Sequence, residues 1–193
     1  MVIRSFQYTF DGKEITRQHR WIPIDSISPQ MITAIVSSED QNFLEHYGFD
    51  FKAIQKASAQ NAKDDVKVIK GASTISQQTA KNVFLWPNRD WIRKGLETYF
   101  TVLIEAFWTK ERIMEVYLNI IEFGEGIYGI EAASQHYYHK RAFKLNARQA
   151  ASLAAVVPAP RKWSPIEPSN KVIRHTNWIL KHAAMRGKIK FDK

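Results

Sequence analysis

Two adjacent carboxylates, Glu39 and Asp40, follow an apolar run and precede an aromatic residue, a histidine and a glycine at fixed intervals. Residues 29–36 carry the start signal and the apolar spacing of a helix. If this helix continues, Glu39, Phe43 and His46 lie on one side of it. A carboxylate held in apolar surroundings has a raised pKa and can act as a general base or acid. The alternative is that the two carboxylates are ordinary surface residues.

A second stretch, residues 70–82, combines hydroxyl, amide and ammonium groups at helical spacing. Thr74 followed by Gln77 is a capping-box pattern and predicts that a helix begins here. Within that helix, Thr74, Gln78 and Lys81 form one polar stripe. Such a stripe is either the water-facing side of the helix or a binding surface.

A third stretch places Arg93 and Glu97 four residues apart on an aromatic-rich helix predicted for residues 89–108. The two could form a surface ion pair contributing about 0.2–0.5 kcal/mol. Their neighbours are strongly apolar, however, and charges in apolar surroundings are unfavourable unless they are paired or bind a ligand.

The same helix carries more large apolar side chains than one core-facing stripe requires. We therefore expect part of it to be exposed and to enter a lipid interface, where Trp and Tyr partition well. The alternative is that all of its aromatic side chains belong to the core.

The stretch 110–119 is interpreted as structural. Thr109 can cap its helix, and Ile113, Tyr117 and Ile120 form one apolar stripe. Glycines at positions 124, 126 and 129 then end the helix before the next one begins.

The elements that must position these groups are mostly helices. We predict a mainly α single domain in which strands are scarce after residues 1–28. Within residues 1–28, the β-prone residues 6–10 before Asp11 and Gly12 form either a short hairpin or an irregular lead-in. The charged loop 63–73 is expected to be mobile. The predicted helices span residues 29–45, 50–62, 74–85, 89–108, 110–121, 126–138, 146–155 and 170–186.

Composition narrows the class of protein. The chain has 193 residues, ordinary hydrophobic content and no cysteine, which excludes disulfides and thiolate chemistry. Its net charge is +9, and residues 140–193 hold thirteen Lys and Arg against two acidic residues. That surplus suits an anionic partner such as nucleic acid, lipid headgroups or a phosphorylated substrate, or it is only a soluble basic surface. No segment reaches the roughly 18 apolar residues of a membrane span.

Taken in register, these stretches resemble the peptidoglycan glycosyltransferases of family 51, which occur in bifunctional penicillin-binding proteins and as stand-alone enzymes. The resemblance covers residues 29–168. Its motifs, in order, are Glu-Asp-x-x-Phe-x-x-His-x-Gly, Gly-x-Ser-Thr-Ile-x-Gln-Gln-x-x-Lys-Asn, Arg-Lys-x-x-Glu and Lys-x-x-Ile-x-Glu-x-Tyr-Leu-Asn. Departures are Ala72, where a second glycine is common, and Thr79 and Met114, where leucine is usual. Transpeptidase signatures are absent from the sequence, so the chain resembles the monofunctional biosynthetic transglycosylases of that family.

The resemblance implies a lysozyme-like helical lobe and a smaller jaw lobe with a membrane-facing surface, in one glycosyltransferase domain over residues 1–193. It also implies an N-terminal transmembrane anchor outside the given sequence. The expected location is the bacterial inner (cytoplasmic) membrane, with the catalytic domain on its periplasmic or extracellular side and cell-wall synthesis proteins as partners. Divalent cations such as Mg²⁺ or Mn²⁺ stimulate many such enzymes, but the sequence has no evident His/Asp/Glu ligand set, so no metal or other cofactor is assigned.

The implied substrate is lipid II, a disaccharide-pentapeptide on undecaprenyl pyrophosphate. An acceptor 4-hydroxyl attacks the anomeric carbon of the growing glycan chain, and the lipid pyrophosphate leaves. Glu39 matches the family's catalytic base, and Glu97 matches a second carboxylate that orients cations or assists. Lys81 and Arg93 match the cations that stabilise the leaving pyrophosphate. The phosphoglycolipid moenomycin, a mimic of the lipid-linked donor, is the implied inhibitor.

The resemblance assigns the remaining motif positions to substrate binding or to shaping the site. Thr74, Gln78 and Asn82 match hydrogen-bond partners of sugar and phosphate. The other positions in this group are Asp40, Phe43, His46, Ser73 and Lys94.

Two other classes of protein share parts of this pattern. A lysozyme-like lytic muramidase would also use a catalytic glutamate in a helical fold, but it would need no Lys–Arg site for a leaving group. A nucleic-acid-binding module is suggested by charge alone. A pyrophosphate substrate in an anionic membrane accounts for the basic surface without nucleic acid, which is therefore not an expected partner.

Overall fold

The structure, a computed structural model, describes residues 17–62, 72–87 and 90–191. Within these ranges the chain is mainly α, as predicted, with one small sheet. The hairpin or lead-in predicted for residues 6–10 and most of the loop 63–73 lie outside the described residues. The helices are α1 (Pro29–Glu39), α2 (Phe51–Asn61), α3 (Ile75–Phe84), α4 (Trp91–Phe107), α5 (Lys110–Ile120), α6 (Ile130–Tyr138), α7 (Ala147–Val156) and α8 (Asn170–Arg186).

Helix α1 ends at Glu39, earlier than predicted. The backbone leaves the helix at Asp40, whose carboxylate accepts hydrogen bonds from Ile75 N at 3.0 Å and from His46 Nε2 at 2.9 Å. These long-range bonds compete with continuation of the helix. The prediction that Glu39, Phe43 and His46 share one helical face is therefore wrong.

The sheet consists of very short strands in the order β1-β3-β2. Strand β1 runs parallel to β3, and β2 is antiparallel to β3. The predicted helix over 126–138 begins only at Ile130, because its first residues form a strand. The strands are β1 (Gln18–His19), β2 (Glu122–Gly124) and β3 (Ile127–Tyr128).

Gly129 makes the turn from β3 into α6. Its φ is +79°, and a Cβ at this position would lie 2.6 Å from the carbonyl oxygen of Asn119. Only glycine combines that backbone conformation with so close an approach. The predicted helix break at the glycines is therefore confirmed at this residue.

The core is built around two groups of packed helices. Helix α1 is buried along most of its length and packs against α7 and α8, while α3 packs against α4 and α5. The hydrogen bond between Asp40 and Ile75 N joins the end of α1 to the start of α3. Polar side chains at the end of α1 therefore face the polar stripe of α3.

Helix α5 begins and packs as predicted. The Thr109 hydroxyl accepts a hydrogen bond from Arg112 N at 3.2 Å. Ile113 and Tyr117 are fully buried, and Ile120 is half-buried. The apolar stripe therefore belongs to the core.

Helix α4 has a buried side and, separately, an exposed side that carries large apolar residues. The alternative that all of its aromatic side chains belong to the core is therefore wrong. The buried side carries Arg93, Glu97, Thr101 and Ile104. Trp91 is 91 % exposed and Phe107 is 80 % exposed, whereas Trp108, which caps the helix, packs against the core. No helix within the described ranges is long and apolar enough to cross a bilayer. The outer face of α4 is defined as Trp91, Ile92, Tyr99, Val102 and Phe107.

Candidate active site

Glu39, the last residue of α1, directs its carboxylate toward α3. Gln78 Nε2 donates to Glu39 Oε2 at 3.0 Å, and Ser38 Oγ donates to Oε1 at 3.3 Å. Burial raises the pKa of Glu39 above its ordinary value of 4.5, against the lowering effect of these two hydrogen bonds. The charge of Asp40 adds to the rise, and that of Lys81 opposes it. Glu39 is therefore a stronger base than an exposed glutamate.

Tyr117 fixes the orientation of the Gln78 amide. Its hydroxyl donates to Gln78 Oε1 at 3.2 Å, which leaves the NH₂ group of Gln78 for Glu39. Burial raises the pKa of Tyr117 well above its usual value, so the phenol stays protonated and can donate. The apolar stripe correctly placed the ring of Tyr117 in the core, but it did not predict the contact made by its hydroxyl.

The carboxylate of Asp40 is engaged in hydrogen bonds that hold the loop after α1. It is buried, and its oxygens accept from His46 Nε2 at 2.9 and 3.0 Å and from Ile75 N at 3.0 Å. Asp40 and His46 therefore hold the loop after α1 against the start of α3. By this arrangement they fix the position of the neighbouring Glu39.

Thr74 caps α3 and ties it to the same loop. With Gln77 it forms the predicted capping box, and its hydroxyl donates to the Gly48 carbonyl at 2.7 Å. Gly48 has a φ of +84°, and a Cβ there would lie 2.8 Å from Thr101 Cγ2. Glycine is required because the loop passes directly against α4.

Lys110 joins the loop to α4 and α5. Its Nζ donates to the His46 carbonyl at 2.6 Å and to Glu105 at 2.8 Å, and Ser76 also donates to Glu105. The ammonium lies 4.7 Å from the ring centroid of Phe43, which is completely buried. Phe43 thus lies beneath the site. Sequence reasoning missed Glu105 and Ser76, and the only signal for Lys110 was its place in the fourth motif.

Arg93, Lys94 and Glu97 form a charge cluster at the start of α4. Arg93 Nη1 lies 3.0 Å from one Glu97 oxygen, and Lys94 Nζ lies 2.6 Å from the other. Arg93 and Glu97 are buried, so the alternative of a surface ion pair is wrong for this pair. Because both Glu97 oxygens contact cations, this carboxylate positions the cations. Within the described residues, Arg93 Nε has no hydrogen-bond partner.

An open cavity of about 630 Å³ contains Glu39, Asp40, Ser73 and Thr74. A second cavity of about 620 Å³ contains Lys94 and shares Ser73 with the first. The two cavities share Ala57, Ala72 and Ser73 in their linings and are here together called the Glu39 cleft. Its lining joins the end of α1, helix α2, the residues before α3 and the charged start of α4.

The remaining predicted residues lie on α3. Lys81 is half-buried, and its positive charge acts to lower the pKa of Glu39. Asn82 follows it and is half-buried. Among the residues that the structure describes, no group of three or more His, Asp or Glu side chains could hold a metal ion.

The carboxylate of Glu39, whose pKa is raised, shares the lining of the cleft with Lys52, Lys56 and Lys94. Arg93 and Lys81 are not among the described lining residues of the two cavities, although Arg93 shares Glu97 with Lys94. A carboxylate of this kind can accept a proton from a hydroxyl nucleophile. Fixed cations can stabilise negative charge that develops on a leaving group. The arrangement can therefore support transfer of a group from an anionic leaving group to a hydroxyl.

Comparison with known proteins agrees with this chemistry. The profile of a family described as Transglycosylase matches residues 8–184. A biosynthetic peptidoglycan transglycosylase of Bdellovibrio bacteriovorus is 54 % identical over 95 % of this chain and 73 % of its own length. Proteins of the same name from Caulobacter vibrioides and Bacteroides thetaiotaomicron are 56 % and 51 % identical, each over 94 % of this chain and over 76 % and 72 % of their own lengths.

Proposed function

The chain belongs to the transglycosylase family and is a peptidoglycan glycosyltransferase; we propose that it polymerises lipid II into glycan strands and releases undecaprenyl diphosphate. The observation that carries this proposal is the carboxylate of Glu39, which lines the cleft and accepts a hydrogen bond from Gln78 at 3.0 Å. Burial raises the pKa of this carboxylate, which suits it to act as a base. The family match and the names of the relatives do not favour the lytic muramidase.

Glu39 is the general base of the proposed reaction. It removes the proton from the acceptor 4-hydroxyl as that oxygen forms a bond to the anomeric carbon of the donor. The bond between the anomeric carbon and the pyrophosphate oxygen breaks, and its electron pair leaves with the lipid pyrophosphate. Base catalysis of this kind contributes roughly 10²- to 10⁴-fold in rate.

Lys81 and Arg93 stabilise the leaving pyrophosphate. Glu97 holds the Arg93 guanidinium at 3.0 Å, which lowers the entropy lost when the arginine meets a phosphate. Lys94, about half-exposed, extends this cationic region into the second cavity. Moenomycin carries a phosphate near its sugars, and we expect it to bind the same groups.

The outer face of α4 reaches the lipid. Because the lipid of the donor is embedded in the bilayer, the cleft must approach the membrane surface. Exposed Trp, Tyr and Phe side chains partition into the lipid interface. In this account the domain works at the outer side of the cytoplasmic membrane, where contact with other cell-wall synthesis proteins also becomes possible.

Trp91→Ser should weaken co-sedimentation with anionic liposomes several-fold and leave the thermal unfolding temperature almost unchanged, because Trp91 is 91 % exposed. Trp108→Ser is the matched control. Since Trp108 packs against the core, this variant should unfold at a lower temperature and lose less liposome binding than Trp91→Ser. Wild-type protein that stays in the supernatant at low salt would refute the membrane contact.

Activity should fall as the pH drops through the pKa of Glu39, because a protonated carboxylate cannot accept the acceptor's proton. The acid limb of kcat/KM should therefore lie above pH 4.5, the ordinary value for glutamate. The hydrogen bond from Gln78 lowers this pKa, so its loss in Gln78→Ala should move the acid limb to higher pH. A pH–rate profile of the two proteins checks the direction.

Tyr117→Phe tests whether Tyr117 acts through Gln78. The substitution keeps the buried ring but removes the donor to Gln78 Oε1. We expect a smaller shift of the acid limb in the same direction, and no further shift when Tyr117→Phe is added to Gln78→Ala. Independent, additive shifts would show that Tyr117 does not act by orienting the amide.

The function is tested by supplying two substrates separately. Labelled lipid II should be converted into long glycan strands on a gel, and isolated cell-wall sacculi should remain intact. Release of soluble fragments from sacculi, with lipid II untouched, would favour a lytic enzyme.

A further inference from the structure

Helix α8 contributes a tryptophan to the Glu39 cleft that none of the predicted motifs contains. Trp178 lines the same cavity as Glu39, although the two residues are far apart in sequence. Another side of α8 is fixed in the core by Val172 and Ile179, which are fully buried, and α8 packs against α1 and α7. The position of Trp178 relative to Glu39 is therefore set by packed helices rather than by a loop.

The indole is held in place before any ligand arrives. Its ring stacks on that of His182, with centroids 3.9 Å apart and planes inclined by 29°. His182 Nδ1 in turn lies 2.7 Å from the Trp178 carbonyl oxygen. His175 also lies beside the ring, with centroids 6.1 Å apart and planes inclined by 37°. Trp178 is 39 % exposed, so a ligand can contact the part of the indole that the two imidazoles leave uncovered. A ring fixed in this way loses little conformational entropy when a ligand stacks on it.

Several other side chains that line this cavity are polar. They are Lys52, Lys56 and Gln60 from α2, and Ser38 and Glu39 from the end of α1. A pyranose ring has an apolar C–H face and a rim of hydroxyl groups. The partly positive C–H groups of such a face suit the negative face of an indole, and the hydroxyls suit the polar groups opposite.

We propose that Trp178 is a stacking platform for a sugar ring of the glycan substrate. This inference rests on the proposed function and deepens it, because it assigns a saccharide subsite to a wall of the cleft formed by α8. Trp91, the exposed tryptophan on the outer face of α4, is not among the described residues that line the cleft, so only Trp178 is assigned to sugar binding.

The test compares Trp178→Ala and Trp178→Phe with a matched control, Trp21→Ala. Trp21 is 44 % exposed, its ring lies under the Arg112 guanidinium at 5.5 Å, and it is outside the described set of cleft residues. Loss of an aromatic stacking contact weakens binding about tenfold at most. We expect KM for lipid II to rise several-fold to about tenfold in Trp178→Ala, to be partly restored in Trp178→Phe, and to be unchanged in Trp21→Ala.

A binding measurement separates this inference from the proposed function. The probe is the free N-acetylglucosaminyl-N-acetylmuramic acid disaccharide, titrated into ¹⁵N-labelled full chain while the indole N–H resonances are followed by NMR. The Trp178 signal, assigned by its absence from Trp178→Phe, should shift, and the Trp21 signal should not. An unmoved Trp178 signal together with unchanged KM in Trp178→Ala would overturn the platform, even if wild type polymerises lipid II. A shifted Trp178 signal in a protein that cannot polymerise lipid II would support the saccharide subsite and contradict the proposed reaction.

Discussion

Glu39→Gln is expected to reduce lipid II polymerisation by at least about 10²-fold, because glutamine keeps the shape of glutamate but cannot accept the acceptor's proton. The amide oxygen of the new side chain can still accept the hydrogen bond from Gln78, so the cleft should keep its geometry. Initial rates with labelled lipid II measure the effect. A variant that retains more than about a tenth of the wild-type rate would contradict the role of Glu39 as the base.

Stability measurements distinguish lost chemistry from lost structure. Because burial raises the pKa of Glu39 in the folded state, the ionised carboxylate destabilises the fold relative to an exposed glutamate, so removing its charge should not lower stability. Thermal unfolding of Glu39→Gln should therefore occur at or above the wild-type temperature. Glu45→Gln is the matched control, because Glu45 is an exposed carboxylate on the neighbouring loop, and its rate should equal that of wild type.

Lys81→Ala and Arg93→Ala should each weaken moenomycin binding by about 10- to 100-fold and slow turnover. A charge-assisted hydrogen bond contributes about 1.5–3 kcal/mol, and both cations are assigned to the phosphate of the donor or its mimic. Calorimetry with wild type and both variants measures the loss. Equal affinity in all three proteins would contradict the leaving-group assignment.

The two variants should differ in stability. Arg93 is buried against Glu97, so Arg93→Ala leaves a buried carboxylate with Lys94 as its remaining cation in this cluster and costs up to about 3 kcal/mol. Lys81 is only half-buried, and its removal should cost less. Arg148→Ala removes one exposed positive charge on α7 and should change neither affinity nor stability, which excludes a general effect of net charge.

Local signals in the sequence predicted most helices, because capping residues and apolar spacing act within one or two turns. The Thr74–Gln77 capping box and the extent of α8 are confirmed. The end of α1 was predicted wrongly because it depends on a hydrogen bond between Asp40 and Ile75 N, far along the chain. Strand β3 was missed because two residues carry too little pattern and their pairing with β1 is long-range.

In the candidate site, too, local signals were predicted from the sequence, whereas contacts between distant residues were not. The motifs identified Glu39 and Gln78 separately, but only packing of α1 near α3 brings them within hydrogen-bond distance. Hydrophobic periodicity placed Tyr117 in the core and carried no information on its hydroxyl. Trp178 was missed because an amphipathic helix does not specify which exposed residue will face a cleft.

As the general base, Glu39 drives transfer of a glycan chain from a lipid pyrophosphate to a sugar hydroxyl in the proposed reaction. Its most direct test counts both products of that transfer in one reaction with doubly labelled lipid II. Wild type should release one undecaprenyl diphosphate for each glycosidic bond that it forms, and Glu39→Gln should give neither product above background. Lipid pyrophosphate released without chain growth, or equal product from Glu39→Gln, would contradict this role of Glu39 in the transfer.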